Sequence, residues 1–285
     1  MLDLIMSQTV DGLDVAKKAA AVKAVDNHVK NGFTVGIGSG TTIIHAIQRI
    51  KQNKLDVQCI GICPTTLDLI LENGLKLTDL STHPELDVFI DGFDEVEIST
   101  KSLIVGACGR VAAVKIAANA SKQIVFIADN SKQSQRLGQV FHEGIPIEVI
   151  PVAAKRVAQE VEKLFKGNAV LRVRTDSVEP FVFLNENKNH IIDWMFTDVW
   201  HKRSRRNAVL RVRTDSVEPF VFLNENKNHI IDWMFTDDGV KGRKWDDIYR
   251  TIKLMSGVVD VGLVLNDKSN ITVYLGAKDG HVDTL

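Results

Sequence analysis

The sequence VFIDGFDEV at residues 88–96 decides the fold of the chain. Its first three residues are apolar, as at the end of a buried strand, and the carboxylates of Asp91, Asp94 and Glu95 follow within five positions. Such a cluster costs stability through like-charge repulsion unless something uses it. A solvated acidic turn is the structural alternative, but a second loop of matching character lies upstream.

That upstream loop is Gly38-Ser39-Gly40-Thr41-Thr42, which lies between a predicted strand at 33–37 and a predicted helix with apolar positions at 43, 44, 46, 47 and 50. Glycines let the backbone approach an anion, and hydroxyl and N–H groups at a helix N-terminus donate hydrogen bonds to it. The loop therefore favours a small phosphorylated ligand, while a nucleotide and a plain tight turn stay open as alternatives.

A dinucleotide fits this loop less well. Gly36, Gly38 and Gly40 are spaced G-x-G-x-G, and Thr41 stands where the dinucleotide fingerprint has its third glycine. The acidic residue of that fingerprint belongs at the end of the second strand. Asp56 instead precedes the second predicted strand, which runs from 57 to 62.

Strands and helices alternate through the first half of the chain, which predicts a mainly parallel, Rossmann-like sheet. The loops at 37–42, 64–66, 91–95 and 129–132 all follow predicted strands. Open α/β sheets bind their ligands at the carboxyl ends of the strands. We therefore expect these loops to meet, with the hydroxyls of Pro64-Thr65-Thr66 among them.

The second half predicts a smaller ferredoxin-like α+β domain, because its elements follow the order βαββαβ. The run at 181–184 falls in a connection, and the run at 272–276 is expected to return to the first sheet. This predicts an α/β domain at 1–145 with 266–285 and a ferredoxin-like domain at 146–265. The predicted elements of the smaller domain are Ile147–Ile150, Val152–Phe165, Val170–Val173, His190–Phe196, Trp245–Met255 and Val258–Val264.

A perfect repeat interrupts this order. Residues 168–198 recur without change at 207–237, an offset of 39 residues. A solenoid needs three or more approximate repeats, whereas the ferredoxin-like order needs only one copy of this segment. One copy is therefore surplus, and we expect its strand pair to dock on a sheet edge, to swap between chains or to stay loose.

Two features of the repeat have a functional and a structural interpretation. His190 and Asp193, with their twins His229 and Asp232, suggest a metal site or an acid–base pair, but their place in an apolar strand favours hydrogen-bonded core or edge residues. The basic run at 202–206 suggests a nucleic-acid or nuclear-localisation patch. Without a wider basic surface or an aromatic platform, a solvated junction is favoured.

The composition excludes several classes of protein. The 285 residues are 45% apolar and carry a net charge of −1, so no overall field favours nucleic acid or a membrane surface. Cys59, Cys63 and Cys108 are too few for a disulfide framework or a zinc site. Neither a signal peptide nor an apolar run of about 18 residues is present, so a soluble, cytoplasmic protein is expected.

Several stretches together resemble the type A ribose-5-phosphate isomerase family. They occur in the family's order over nearly the whole chain, excepting one repeat copy with its junction. They are Val25-Asp26, VGIGSGTT at 35–42, DGFDEV at 91–96, Ser131-Lys132, IPIEVIP at 145–151 and GVVDVGL at 257–263.

The resemblance implies an aldose–ketose isomerase that interconverts ribose 5-phosphate and ribulose 5-phosphate through an enediol, without metal or cofactor, as a homodimer or homotetramer. It implies that Asp91 and Asp94 hold sugar hydroxyls and assist ring opening. The positions that it implies for binding the substrate and its phosphate are Ser39, Gly40, Thr41, Thr42, Gly92 and Lys132.

The chain departs from the family in its glycine-rich segment, at 104–116. Val105 stands where the family has a Lys, and Val114 where it has the catalytic Glu. A valine side chain neither transfers a proton nor donates to an oxyanion, and losing a general base costs about 10²–10⁴-fold in rate. Arg110, beside the glycines, restores a positive charge but no base. An inactive sugar-phosphate-binding protein is therefore the alternative function.

Overall fold

The computed structural model describes residues 12–172, 224–265 and 270–285, together with the backbone of 181–184 and 190–193. The helices are α1 (Gly12–His28), α2 (Thr41–Gln52), α3 (Pro64–Glu72), α4 (Val111–Asn119), α5 (Ala154–Phe165), α6 (Asp237–Val240) and α7 (Trp245–Lys253). The strands are β1 (Thr34–Ile37), β2 (Gln58–Gly61), β3 (Lys76–Leu77), β4 (Leu86–Asp91), β5 (Glu95–Glu97), β6 (Leu103–Ile104), β7 (Ser121–Asp129), β8 (Gln133–Ser134), β9 (Ile145–Val149), β10 (Asn168–Leu171), β11 (Phe181–Leu184), β12 (His190–Asp193), β13 (His229–Met234), β14 (Val258–Val261), β15 (Leu263–Val264), β16 (Ile271–Gly276) and β17 (Val282–Thr284).

Seven strands form the main sheet, in the order β17-β16-β7-β4-β1-β2-β3. Every neighbouring pair is parallel except β16 and β17, which confirms the predicted mainly parallel sheet. The return of the chain end to this sheet is also confirmed, because β16 pairs with β7 along its whole length. The carboxyl ends of β7, β4, β1 and β2 therefore lie side by side at one edge.

Helix α1 packs on this sheet mainly through small side chains. Its buried face consists of Ala16, Ala20, Ala21 and Ala24 with Val25. The reason is close approach, because a Cβ atom at Gly276 of β16 would lie 1.8 Å from the carbonyl oxygen of Ala16. Only small side chains fit between two backbones at that distance.

The two faces of the main sheet are covered by different elements. The apolar faces of α1 and α2 pack on one side, where Ile43, Ile47 and Ile50 are fully buried. Helix α4 covers the other side together with a small sheet of very short strands, in the order β15-β6-β5-β8.

A second four-stranded sheet has the order β10-β13-β9-β14, with all three pairs antiparallel. Helices α5 and α7 pack on it, so the βαββαβ order and the strand arrangement are those of a ferredoxin-like unit. Its core is centred on Trp233, which is fully buried against the rings of Phe165 and Phe235 at centroid distances of 5.4 and 5.6 Å.

This sheet is built from both copies of the repeat. Strand β10 belongs to the first copy, whereas its partner β13 belongs to the second. The prediction that His190–Phe196 supplies the third strand was therefore wrong, because β12 in that stretch pairs with β11 instead. Short connections explain the choice: only two residues separate α5 from β10, and the second copy continues directly into α6 and α7.

The predicted strand at 258–264 is divided in two. Strand β14 belongs to the four-stranded sheet around β9, and β15 belongs to the small sheet around β6. Gly262 lies between them, where its N–H donates to the carbonyl oxygen of Pro146 and its own carbonyl accepts from the N–H of Val105. A Cβ atom there would lie 2.4 Å from the carbonyl oxygen of Val105, so the chain changes sheets at a glycine.

The basic run at 202–206 lies outside the described residues, and the boundaries after 145 and 265 stay predictions. None of the described helices is long and apolar enough to cross a membrane.

Candidate active site

The phosphate-binding loop predicted at 38–42 connects β1 to the N-terminus of α2. Gly40 has a φ of +100°, a conformation that favours glycine, and directly precedes the helix. Thr41 is exposed at the first turn, where its hydroxyl accepts a hydrogen bond from the ammonium group of Lys17 at 3.0 Å. The helix N-terminus, a hydroxyl and a cation therefore converge at one point, as an anion site requires.

Asp91, at the end of β4, lies directly beneath this loop. Its Oδ1 accepts hydrogen bonds from the N–H of Ser39 at 2.9 Å and of Gly92 at 2.7 Å. The fit depends on Gly38, because a Cβ atom there would lie 1.8 Å from the same oxygen. Gly92 also approaches the loop, since a Cβ atom there would lie 3.4 Å from the carbonyl oxygen of Ser39.

Burial raises the pKa of Asp91 to about 7, although the two backbone hydrogen bonds act in the opposite direction. The negative charge of Asp94 raises this pKa further, and the positive charge of Arg110 lowers it. A carboxyl group with a pKa near neutrality accepts and returns protons readily at physiological pH. Asp91 therefore has the ionisation that a general acid–base group needs.

Asp94 faces the glycine-rich segment across the site. Its Oδ2 accepts a hydrogen bond from the N–H of Ala107 at 3.0 Å. Burial raises the pKa of Asp94, while the backbone hydrogen bond and the charges of Lys132 and Arg172 act to lower it. Lys132 follows β7 and is thus close enough to act on Asp94 electrostatically. The structure brings together all eight predicted site residues, from the loops after β1, β4 and β7.

Thr66 and Glu95 serve the structure rather than a ligand. The Thr66 hydroxyl was expected at the site, but it is buried. It donates a hydrogen bond to the carbonyl oxygen of Gly38 at 2.6 Å and thereby stabilises the phosphate-binding loop. Glu95 is fully buried, and its carboxylate accepts hydrogen bonds from four successive N–H groups at 138–141. A carboxylate with these partners holds a loop in place and is not directed at the site.

The two valines of the glycine-rich segment are core residues. Val105 and Val114 are 1% and 2% exposed, and both lie in the apolar cluster that includes Phe93. Neither side chain carries a group that transfers a proton or donates a hydrogen bond. Among the predicted site residues, those that carry a carboxyl group are Asp91 and Asp94.

Both repeat copies hold the glycine-rich segment. Arg172, from the first copy, donates to the carbonyl oxygen of Ala107 at 2.6 Å and forms an ion pair with Asp232 of the second copy at 2.7 Å. Asn224, also from the second copy, donates to the carbonyl oxygen of Gly109 at 3.1 Å. Sequence reasoning missed Arg172 and Asn224, because their roles depend on contacts with the glycine-rich segment, which is distant from both in sequence.

The histidine and the aspartate of the repeated pair differ in their hydrogen bonding. Asp232 is satisfied by Arg172, as the structural interpretation expects, whereas His229 has a buried Nδ1 without a hydrogen-bond partner. Burial lowers the pKa of His229. Among the described residues no group of His, Cys, Asp and Glu is arranged to hold a metal ion. The side chains of His190 and Asp193 lie outside the described residues.

Comparison with known proteins shows the family of the chain. The family model described as ribose 5-phosphate isomerase A (phosphoriboisomerase A) matches residues 58–207. The ribose-5-phosphate isomerase of Homo sapiens is 37% identical over 279 residues, which cover 96% of this chain and 74% of the relative. The chain belongs to the ribose 5-phosphate isomerase A family. The ribose-5-phosphate isomerase of Dictyostelium discoideum is 44% identical over 187 residues, which cover 65% of this chain and 79% of that relative.

Solved structures of the family share the fold. Ribose 5-phosphate isomerase A from Methanocaldococcus jannaschii matches with a TM-score of 0.68 and 25% identity, over 96% of this chain and 97% of that one. The Plasmodium falciparum enzyme matches with a TM-score of 0.67 and 26% identity, over 95% and 98% of the two chains. Both the fold and the family expected from the sequence are thus confirmed.

Proposed function

We propose that this protein interconverts ribose 5-phosphate and ribulose 5-phosphate, with Asp91 as the group that moves the proton. Family membership supports the substrate. The observation that carries the proposal is the place of Asp91, whose buried carboxyl has a pKa of about 7 and lies against the phosphate-binding loop. A phosphate bound at that loop puts the sugar carbons of a bound ligand within reach of this carboxyl.

The reaction needs few groups. A carboxylate takes the proton from C2 of the open-chain aldose while the carbonyl oxygen at C1 gains a proton, which gives the enediol. Return of a proton to C1, with loss of the proton on the C2 oxygen, then gives the ketose. The Oδ1 atom of Asp91 is held by Ser39 and Gly92, so we assign the transfer to Oδ2. Asp94 holds sugar hydroxyls, and Ser39, Gly40, Thr41, Thr42, Gly92 and Lys132 bind the substrate and its phosphate.

The valines set the expected rate. Since Val105 and Val114 supply neither the electrophile nor the base of the family, turnover should be about 10²–10⁴-fold slower than in a variant carrying Val105→Lys and Val114→Glu. The test is turnover of ribose 5-phosphate by the purified chain, by this double variant and by Asp91→Asn. Asparagine keeps the shape and the Oδ1 acceptor of Asp91, so it removes only the base.

Two results are expected. Asp91→Asn should lower the turnover of the natural chain by about 10²-fold or more. The kcat/KM of the natural chain should rise with pH and level off above about 7, because only the ionised form of Asp91 accepts the proton. Turnover that Asp91→Asn leaves unchanged would show that another group is the base.

An inactive sugar-phosphate-binding protein is the second candidate, and the burial of Val114 in an apolar cluster favours it. It retains the phosphate-binding loop and Asp91 but has no turnover. Calorimetric binding of ribose 5-phosphate without formation of ribulose 5-phosphate would establish it. Turnover by the Val105→Lys/Val114→Glu variant, with none by the unchanged chain, would also support an inactive binding protein.

The remaining parts of the proposal concern assembly and location. A homodimer or homotetramer is proposed from the resemblance, and light scattering on the purified chain tests it. A cytoplasmic location and the absence of nucleic-acid binding also belong to the proposal. Fractionation of cells and a mobility-shift assay test them.

A further inference from the structure

Arg110 is a cation at the site that the family resemblance does not assign. It directly precedes α4 and follows Gly109, whose φ of +88° turns the chain there. Its Nε donates to the carboxylate of Glu225 at 2.6 Å, and only 21% of its side chain is exposed. A guanidinium held in this way is oriented before a ligand arrives.

The segment that carries Arg110 lies next to the phosphate-binding loop, because the Sγ of Cys108, two residues before Arg110, lies 3.6 Å from the hydroxyl of Ser39. From this position the charge of Arg110 acts on Asp91 and lowers the pKa of that carboxyl. Burial acts to lower the pKa of Arg110 and the carboxylate of Glu225 acts to raise it, and a guanidinium stays charged at physiological pH in either case.

The chemistry of the site requires such a group. Negative charge develops on the oxygens at C1 and C2 as the enediol forms, and a fixed cation or N–H donor must stabilise it. Val105 supplies neither. Arg172 is engaged by the carboxylate of Asp232 and by the carbonyl oxygen of Ala107. Lys132 is assigned to the substrate phosphate.

We propose that Arg110, held by Glu225, stabilises the enediolate oxygens of the sugar-phosphate substrate in place of the lysine that Val105 replaces. The inference rests on the proposed function. It adds a catalytic residue that the family's motif does not include, because the cation of that motif is a lysine at the position of Val105. One N–H of the guanidinium goes to Glu225, and its planar Nη groups suit a pair of neighbouring oxygens.

The test compares two four-carbon ligands by calorimetry. 4-Phosphoerythronate carries a carboxylate where the enediolate oxygens would form, whereas erythritol 4-phosphate has an uncharged hydroxymethyl group there. The variants are Arg110→Met and Arg110→Lys. Arg136→Met is the matched control, since Arg136 also pairs with a carboxylate, that of Asp237, at 2.9 Å. Melting curves show whether each variant folds.

The natural chain should bind the acid more tightly than the alcohol. Arg110→Met should weaken binding of the acid by about tenfold or more and binding of the alcohol by less than about twofold, with Arg110→Lys between and Arg136→Met unchanged. In turnover, Arg110→Met should lower kcat and leave KM nearly constant.

Other outcomes separate the two proposals. Equal weakening of both ligands would make Arg110 a phosphate contact and overturn the inference alone. Unchanged binding of both would do the same. A natural chain that binds neither ligand would overturn the inference together with the proposed function. A folded Arg110→Met protein with raised KM and natural kcat would also contradict the assigned role.

Discussion

The sequence His-Ile-Ile-Asp occurs twice in this chain and has two different environments. At 190–193 it forms β12, which pairs with β11 in a two-stranded sheet. At 229–232 it begins β13, which pairs with β9 on one side and β10 on the other. The repeat copies are identical, so no local preference for strand explains the difference. Position along the chain decides which copy enters the core.

The connections give the physical reason. Only two residues separate α5 from β10, and the second copy runs straight into α6 and α7. Both attachments bring a strand to the sheet through a short connection, which costs little conformational entropy. The four-stranded sheet therefore takes β10 from the outer end of the first copy and β13 from the outer end of the second.

The largest effect on stability is expected from replacing Trp233, the tryptophan of the second repeat copy. Trp233→Ala removes a fully buried ring that packs on Phe165 and donates from Nε1 to the carbonyl oxygen of Lys166 at 2.9 Å. It should lower the free energy of unfolding by about 3–5 kcal/mol in urea titration. The identical change at Trp194 should cost less than about 1 kcal/mol, because Trp233 already fills the core position.

Equal losses of stability at the two tryptophans would contradict the assignment of the central strand β13 to the second copy alone. They would mean that the copies exchange places in solution, so that each occupies the core for part of the time. A loss at Trp194 alone would show that the first copy supplies the central strand.

A smaller effect is expected at the aspartate that follows. Asp232→Ala removes the partner of Arg172, and the two side chains are each 18% exposed. Loss of this ion pair should cost about 1–3 kcal/mol of stability. Since Arg172 also holds the carbonyl of Ala107, whose N–H binds Asp94, turnover should fall as well. Asp193→Ala is the matched control, and an equal effect on turnover there would show that this contact is not the cause.

The smallest effect on stability is expected from deleting one repeat length of the chain. Deleting residues 173–211 joins Arg172 to Val212 and leaves one complete copy, with every described element kept except β11 and β12. Shortening the connection by 39 residues should raise the free energy of unfolding by about 1 kcal/mol through loop entropy. Thermal melting measures this, and turnover should change by less than about twofold. A deletion variant that fails to fold would show that the insertion is part of the structure.

Much of the site follows from the sequence because its residues belong to strand ends. Gly40, Asp91 and Lys132 each follow a predicted strand, and parallel strands bring their ends together whatever the detailed packing. The alternation of strands and helices was enough to predict that sheet. The ferredoxin-like order was likewise visible, because one copy of the repeat satisfies it.

The other features of the fold and the site depend on contacts between distant residues, which leave no periodic pattern in the sequence. The inward face of α1 was set by its close approach to Gly276, and the role of Thr66 by a bond to a carbonyl of a neighbouring loop. The choice of copy could not be read from identical residues at all. Strands β5, β6, β8 and β15 are two or three residues long, too short to show an alternating pattern.

The contact between Gly38 and Asp91 has a consequence for how this protein can change over generations. A side chain at 38 and a carboxylate at 91 cannot occupy the same space, since they would lie 1.8 Å apart. The two positions are therefore expected to covary among relatives. While Asp91 is under selection, glycine is the only residue tolerated at 38. A lineage that lost the carboxylate would soon accumulate alanine or serine at 38, and either residue would then block its return.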